Sequence, residues 1–432
     1  MEISDLYQLF LQCPRITTDS RNCSQNSIFV ALHGEHFDGN AFAAAALANG
    51  SAYAIIDNPE YYDPEDSRMV LVDDCLDTLQ RLANHHRRTL GIKILAITGT
   101  NGKTTTKELI ATVLSEVHNV LYTHGNMNNH IGVPLTLLQM TNRHNLAVIE
   151  MGASHPGEIG KLTDIVEPNF GLITNIGKAH LEGFGSFEGV KRTKGELFDY
   201  LRTKEDGTAF VNDDNKCIDG MADGLLKIKY GTADGLYVNG EIVSSDPFLT
   251  FRWRAGKSPD YTEVKTHLIG AYNFENAMAA VAVGRFFGVD ARHIKMALES
   301  YSPSNNRSQF RQTDANRLII DAYNANPTSM SAAIANFKKI NGENKALILG
   351  DMRELGVESA SEHQKVIDML VEYGFTDVML VGTQFAATEN SFKCFPNVVA
   401  FADYLRNHPL YDRTILIKGS NAVHLEKVID LL

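Results

Sequence analysis

At 432 residues the chain is too long for one hydrophobic core, so two or three domains are expected. Its 44% hydrophobic and 21% charged residues are the mix of a folded globular protein. A net charge of −12 excludes broad, sequence-independent binding to nucleic acid or acidic membranes. Capture of a small phosphate stays open, because it needs only a few local donors and cations.

The chain reads as three α/β segments, expected at residues 1–85, 86–303 and 304–432. The opening Met1-Glu2-Ile3-Ser4-Asp5 lacks the basic and apolar regions of a signal peptide. Ser27 to Leu32 reads as a strand, Ala41 to Asn49 as a helix, and Ala52 to Ile56 and Met69 to Val72 as further strands. The alanine-rich stretch is too short to span a bilayer. Five scattered cysteines (Cys13, Cys23, Cys75, Cys217, Cys394) form no CxxC pair, so reduced thiols and a cytoplasmic location are expected. The polar stretch Asn84-His85-His86-Arg87-Arg88 marks a seam.

The second segment opens with the apolar run Ile92 to Ile97, suited to a strand buried on both faces. A glycine loop follows, then a helix whose stripe is Leu109, Ile110, Val113, Leu114 and Val117. Leu146 to Ile149 and Gly171 to Thr174 supply more strands. Alternating strands and helices predict a parallel sheet with right-handed crossovers. The third segment starts after Tyr301-Ser302-Pro303. Its apolar runs at 317–320, 345–349, 377–381 and 414–417, separated by helical stretches, predict a smaller Rossmann-like unit.

The strongest chemical signal is Thr98-Gly99-Thr100-Asn101-Gly102-Lys103-Thr104-Thr105-Thr106, between the buried strand and the amphipathic helix. Glycines let successive N–H groups curl toward phosphate oxygens, and the helix N-terminus adds partial positive charge. Lys103 can reach the β- and γ-phosphates, and the Thr104 hydroxyl can ligate Mg²⁺. The loop is shorter than GxxxxGK[ST], since the glycine before Gly102 is Gly99. A strand-to-helix turn with a chance lysine is the plainer alternative. Glu150 ends a core strand at the sheet edge where doubly wound folds bind ligands, so its carboxylate is a candidate for Mg²⁺. His180 follows another core strand. Lys194, by itself, reads as a solvated helix lysine.

In this order, the short loop, the acid, the histidine and the lysine resemble the Mur ligase family, and the resemblance covers nearly the whole chain. It implies a central P-loop-type ATPase domain flanked by a small N-terminal α/β domain that binds a UDP-sugar and a C-terminal Rossmann-like domain. It implies ATP and two Mg²⁺ ions held by Thr104, Glu150, His180 and Lys194, with Lys194 carbamylated by CO₂. Lys191 is the alternative carrier. Gly270-Ala271-Tyr272-Asn273-Phe274-Glu275-Asn276-Ala277 resembles the family's HNxxNA stretch, so Asn273 and Asn276 are expected at the purine. Asn305-Asn306-Arg307 stands where the family has Pro-Gly-Arg, which puts Arg307 near the γ-phosphate. Asp321 matches an aspartate that binds ribose hydroxyls.

Four stretches resemble one branch, which adds D-alanyl-D-alanine to a UDP-muramoyl-tripeptide through an acyl phosphate. They are Gly125 to Pro134 (GNxNNxIGVP), Asp321-Ala322-Tyr323-Asn324-Ala325-Asn326-Pro327, Gly350-Asp351-Met352-Arg353-Glu354-Leu355-Gly356 and His180-Leu181-Glu182-Gly183-Phe184-Gly185. The loop residues Gly99, Thr100, Asn101, Gly102, Lys103, Thr104 and Thr105 are then expected on ATP. Ser20, Arg21, Asn126, Asn128, Asn129, Asn324 and Asn326 are expected on the small-molecule substrates. A bacterial, cytoplasmic monomer is implied. A third-residue-adding or folylpolyglutamate-synthase-like ligase is the nearest rival, and a P-loop NTPase switch is the rival from another class.

Overall fold

The computed structural model describes residues 1–35, 37–304, 306–342 and 344–432, so Asn305 of the Asn305-Asn306-Arg307 stretch lies outside the described residues. Three principal sheets organise it. The first runs 16–17, 27–30, 51–56 and 69–71, all parallel. The central sheet has nine strands among the described residues, in the spatial order 262–269, 248–255, 238–245, 226–231, 208–212, 170–173, 93–98, 146–150 and 120–122. The third orders 309–312, 316–321, 413–418, 345–350, 378–381 and 393–395, parallel except for its first pair.

Strand Lys93–Thr98 sits inside the central sheet and is buried along all but its first residue. Its side chains alternate between two cores: Ile94 and Ala96 enter one, Leu95 and Ile97 the other. Helix Lys103–Leu114 follows directly, so the turn between them lies at the C-terminal sheet edge. Val117, expected on its apolar stripe, lies past the helix end and is exposed. Helix Asn273–Phe286 is apolar almost all round because it is enclosed between the sheet and the Lys103–Leu114 helix.

One feature adds to the sequence reading and one differs from it. The polar stretch 84–88 is the end of helix Cys75–Leu90, which stops at Gly91 with φ 62°. Its polar residues join the first two segments: His86 bonds Tyr7 Oη at 3.0 Å and the Met140 carbonyl at 2.8 Å, and Arg87 Nε donates to the Val166 carbonyl at 2.7 Å. The central sheet is also not wholly parallel. Strands 238–245, 248–255 and 262–269 form antiparallel pairs. Phe251 and Trp253 point into the core while Arg252 faces solvent, a period-two pattern suited to a sheet with one wet face.

Candidate active site

The turn after strand Lys93–Thr98 requires its glycines. Gly99 has φ 141°, and a Cβ there would lie 2.1 Å from Thr174 Oγ1; Gly102 has φ 78°, and a Cβ would lie 2.6 Å from Asn276 Oδ1. Residues after the strand Phe170–Ile173 brace the loop. Thr100 N donates to the Asn175 carbonyl and Asn101 N to Asn175 Oδ1, both at 2.9 Å, while Thr174 Oγ1 donates to the Asn101 carbonyl at 2.6 Å. Lys103 folds back over this turn, its Nζ donating to the carbonyls of Gly99 at 2.9 Å and Thr100 at 3.1 Å. Burial pushes its pKa down, and the Glu150 charge works against that.

Glu150 is 1% exposed at its strand end. Its Oε1 accepts from Thr104 Oγ1 at 3.2 Å and Asn128 Nδ2 at 2.7 Å. Its Oε2 is buried without a hydrogen-bond partner among the described residues, with the buried Lys107 Nζ 3.8 Å away. An orphaned carboxylate oxygen beside a threonine hydroxyl is the hard-oxygen donor set that suits Mg²⁺, so these residues fit the expected ion. His180 lines the same cavity, with φ 51°. Lys194 is 2% exposed and donates to the Ala153 carbonyl at 3.3 Å. Burial and the Lys103 charge push its amine down to about 7, which favours the neutral form. Lys191, the alternative carrier, is only half-buried on the same helix.

The third segment closes the other wall. Arg307 stacks on Tyr323, guanidinium 3.6 Å from the ring centroid. Asp321 Oδ2 accepts from Lys418 Nζ at 2.6 Å. These residues, the loop, Glu150, His180 and Asn324 line one cavity of about 1170 Å³. Asn126, Asn128 and Asn129 line it too, with Asn129 Oδ1 also accepting from Gly132 N at 2.8 Å. Leu76 and Gln80 bring the first segment to its rim.

Sequence profiles for three domains match this chain: the Mur ligase family catalytic domain over residues 14–87, the Mur ligase middle domain over 97–284 and the Mur ligase glutamate ligase domain over 306–421. The UDP-N-acetylmuramoyl-tripeptide--D-alanyl-D-alanine ligase of Bacillus subtilis is 36% identical over 370 residues, covering 83% of this chain and 79% of its own. This chain belongs to the Mur ligase family. The fold agrees. MurF of Acinetobacter baumannii superposes with a TM-score of 0.86 at 34% identity, covering 96% of this chain and 93% of that one. MurF ligase of Thermotoga maritima, solved in complex with ADP, gives 0.85 at 27%, covering 98% and 97%.

Within this Mur ligase some expected site residues also make structural contacts. Asn273 Nδ2 donates to the Ile269 carbonyl at 2.8 Å, Asn276 Nδ2 to Asn273 Oδ1 at 2.9 Å, and Thr106 Oγ1 to Asn276 Oδ1 at 3.0 Å. The two amides thus pin their helix to the Lys103–Leu114 helix while lining the cavity. Asn326 caps helix Pro327–Lys339, and its Nδ2 donates to Asn101 Oδ1 at 2.7 Å, tying the third segment to the loop. Ser20 and Arg21 do not line the cavity; Arg21, its side chain 88% exposed, pairs with Asp19 at 2.9 Å. Thr105 does line it. Sequence reasoning missed Tyr323 as the platform for Arg307, Lys418 as the partner of Asp321, and Lys107 behind Glu150. Tyr323 stood inside a quoted stretch; Lys418 and Lys107 carried no local signal.

Proposed function

We propose that this Mur ligase joins D-alanyl-D-alanine to UDP-N-acetylmuramoyl-tripeptide at the expense of ATP, acting as a cytoplasmic monomer. The observation that carries the reading is the meeting of Lys103, Thr104 and Glu150 with Arg307 and Asp321 across one cavity, in a chain whose relatives are named for this ligation. Loop residues 99–105 receive the triphosphate, and Asp321 the ribose. Asn273 and Asn276 lie on the side of the purine. Ser20 and Arg21 meet the UDP end of the substrate, and Asn126, Asn128, Asn129, Asn324 and Asn326 border the peptide and dipeptide.

The tripeptide carboxylate attacks the γ-phosphorus, giving an acyl phosphate and ADP. The dipeptide amine then attacks the acyl carbon, and phosphate leaves as the amide forms. Two anions meet in the first step, so charge neutralisation dominates. Lys103 and Arg307 supply positive charge from opposite walls. Thr104, Glu150, His180 and carbamylated Lys194 would hold two Mg²⁺ ions, which offset the triphosphate charge. The third segment covers the loop and keeps water from the acyl phosphate.

The test offers purified enzyme UDP-muramoyl-tripeptide with D-alanyl-D-alanine, and separately UDP-muramoyl-dipeptide with a diamino acid, scoring ADP release and product mass. Product only from the first pair is expected. Product only from the second pair, or ATP turnover indifferent to any amine, sinks the reading.

A further inference from the structure

We infer that Glu354 is a positioning residue that reaches from the third segment to the imidazole of His180, so that the metal site is completed only when that segment is docked. The inference rests on the reading of His180 as a metal ligand. Its starting point is Gly350 to Gly356, a stretch that the chemistry above leaves without a task.

His180 has φ 51° and Glu354 has φ 62°, so both are non-glycine residues in the left-handed region. Such backbone persists only where the surroundings over-determine it, and it gathers at functional sites. Here the two residues come from different segments and face one another. His180 Nδ1 is buried and lies in close contact with Glu354 Oε2. Phe184 packs edge-on to the imidazole, with centroids 6.2 Å apart.

The surrounding contacts seat this pair. Glu182 N approaches the Glu354 carbonyl at 3.4 Å, and Gly356 backs onto Glu182, where a Cβ would lie 3.5 Å from the Glu182 Cβ. Leu355 is buried in the core of the third segment, which anchors the turn that presents Glu354. Lys178 adds a second tie, with its Nζ 3.0 Å from Glu362 Oε1 and 3.6 Å from Glu358 Oε2.

A carboxylate on one imidazole nitrogen fixes the tautomer and aims the other nitrogen, whose lone pair is then the ligand. Here it arrives with a separate segment. Undocked, His180 loses its orienting partner; docked, it is held ready for the ion. Closure and metal binding are therefore linked.

The test uses the full-length enzyme with a non-hydrolysable ATP analogue and Mn²⁺ as the probe, reading Mn²⁺ affinity and the nitrogen coupling of the ion by electron paramagnetic resonance. Wild type should show nitrogen coupling that His180→Ala removes. Glu354→Ala should weaken Mn²⁺ binding about 10-fold or more and diminish that coupling. Glu354→Gln should retain most of both, because its amide oxygen can keep the contact with the imidazole nitrogen. Lys178→Ala, which removes the neighbouring tie alone, should leave the coupling intact. Wild-type affinity and coupling in Glu354→Ala would overturn the inference, as would equal losses in Lys178→Ala, which would mark general loosening of the interface. Absence of nitrogen coupling in the wild type would instead overturn the metal role of His180 and the inference with it.

Discussion

Lys103 spends its ammonium on two carbonyls of its own loop, at 2.9 and 3.1 Å, in a buried setting that disfavours its charge. On the proposed reading an arriving triphosphate offers better acceptors, for which the side chain would exchange its neutral partners. Lys103→Ala is expected to lower ligation by about 10²–10³, read as the rate of ADP release with D-alanyl-D-alanine present. Turnover within a few-fold of wild type would remove Lys103 from the mechanism. Lys194 makes a pH-dependent prediction. Burial and the Lys103 charge put its folded-state value at about 7, against 10.5 for a free lysine. Between those limits the unfolded chain holds a proton that the folded chain lacks, so this residue's contribution to stability rises with pH across the window. In CO₂-free, metal-free buffer, Lys194→Met should therefore raise Tm most below pH 7, with the gain shrinking toward pH 10. A gain that grows with pH would contradict the burial of an unmodified amine there.

At the scale of elements, strand Lys93–Thr98 and helix Lys103–Leu114 are joined by a turn with almost no freedom to shift. Gly99 is the tightest point, since a Cβ would sit 2.1 Å from Thr174 Oγ1 on a backbone at φ 141°. Gly99→Ala must displace either the loop or the 174–177 brace. A strained backbone costs about 1–3 kcal/mol, and 1.4 kcal/mol is tenfold in affinity. ADP binding by titration calorimetry should thus weaken about tenfold or more, while the far-ultraviolet spectrum stays native. Unchanged ADP affinity would mean that the nucleotide does not sit on this turn.

Over the whole molecule, the first two segments share an apolar core running from Leu6 through Leu82 to Ile149 and Leu201. The third segment has two cores, one on each face of its sheet, and the first also takes in Ile269 of the second segment. Its contacts with the rest are largely polar, as in the Asn326–Asn101 and Tyr272–Ser308 hydrogen bonds at 2.7 and 3.0 Å, with a small apolar patch at Phe248 and Phe310. Interfaces of that kind permit relative motion and uncouple unfolding. Scanning calorimetry of the free enzyme should resolve two transitions, one for residues 1–303 and one for 304–432. ATP-analogue binding should raise and draw them together, because a ligand held by both parts, as proposed, would couple them. Separate melting of residues 1–85 would refute the shared core.

Much of the loop and its flanking elements could be read from the chain alone. A glycine at a left-handed turn, an apolar strand before it and a helix after it are local facts, set by the backbone preferences of neighbouring residues, as at Gly99, Gly102 and Lys103. Glu150 was recognisable for the same reason, as the acid ending an apolar run. The antiparallel strands near Phe251 and Trp253 carry a readable alternation, but their pairing and direction depend on which distant strands they meet. What only the tertiary structure decided is which distant side chains meet. Lys107 comes behind Glu150, Lys418 meets Asp321 across 97 residues, and Glu354 reaches His180. Asn326 bridges to Asn101, while Arg21 stands exposed beside Asp19. Such pairings follow from how whole sheets and helices stack, where burial and charge are set by remote chain, so no short window of sequence encodes them.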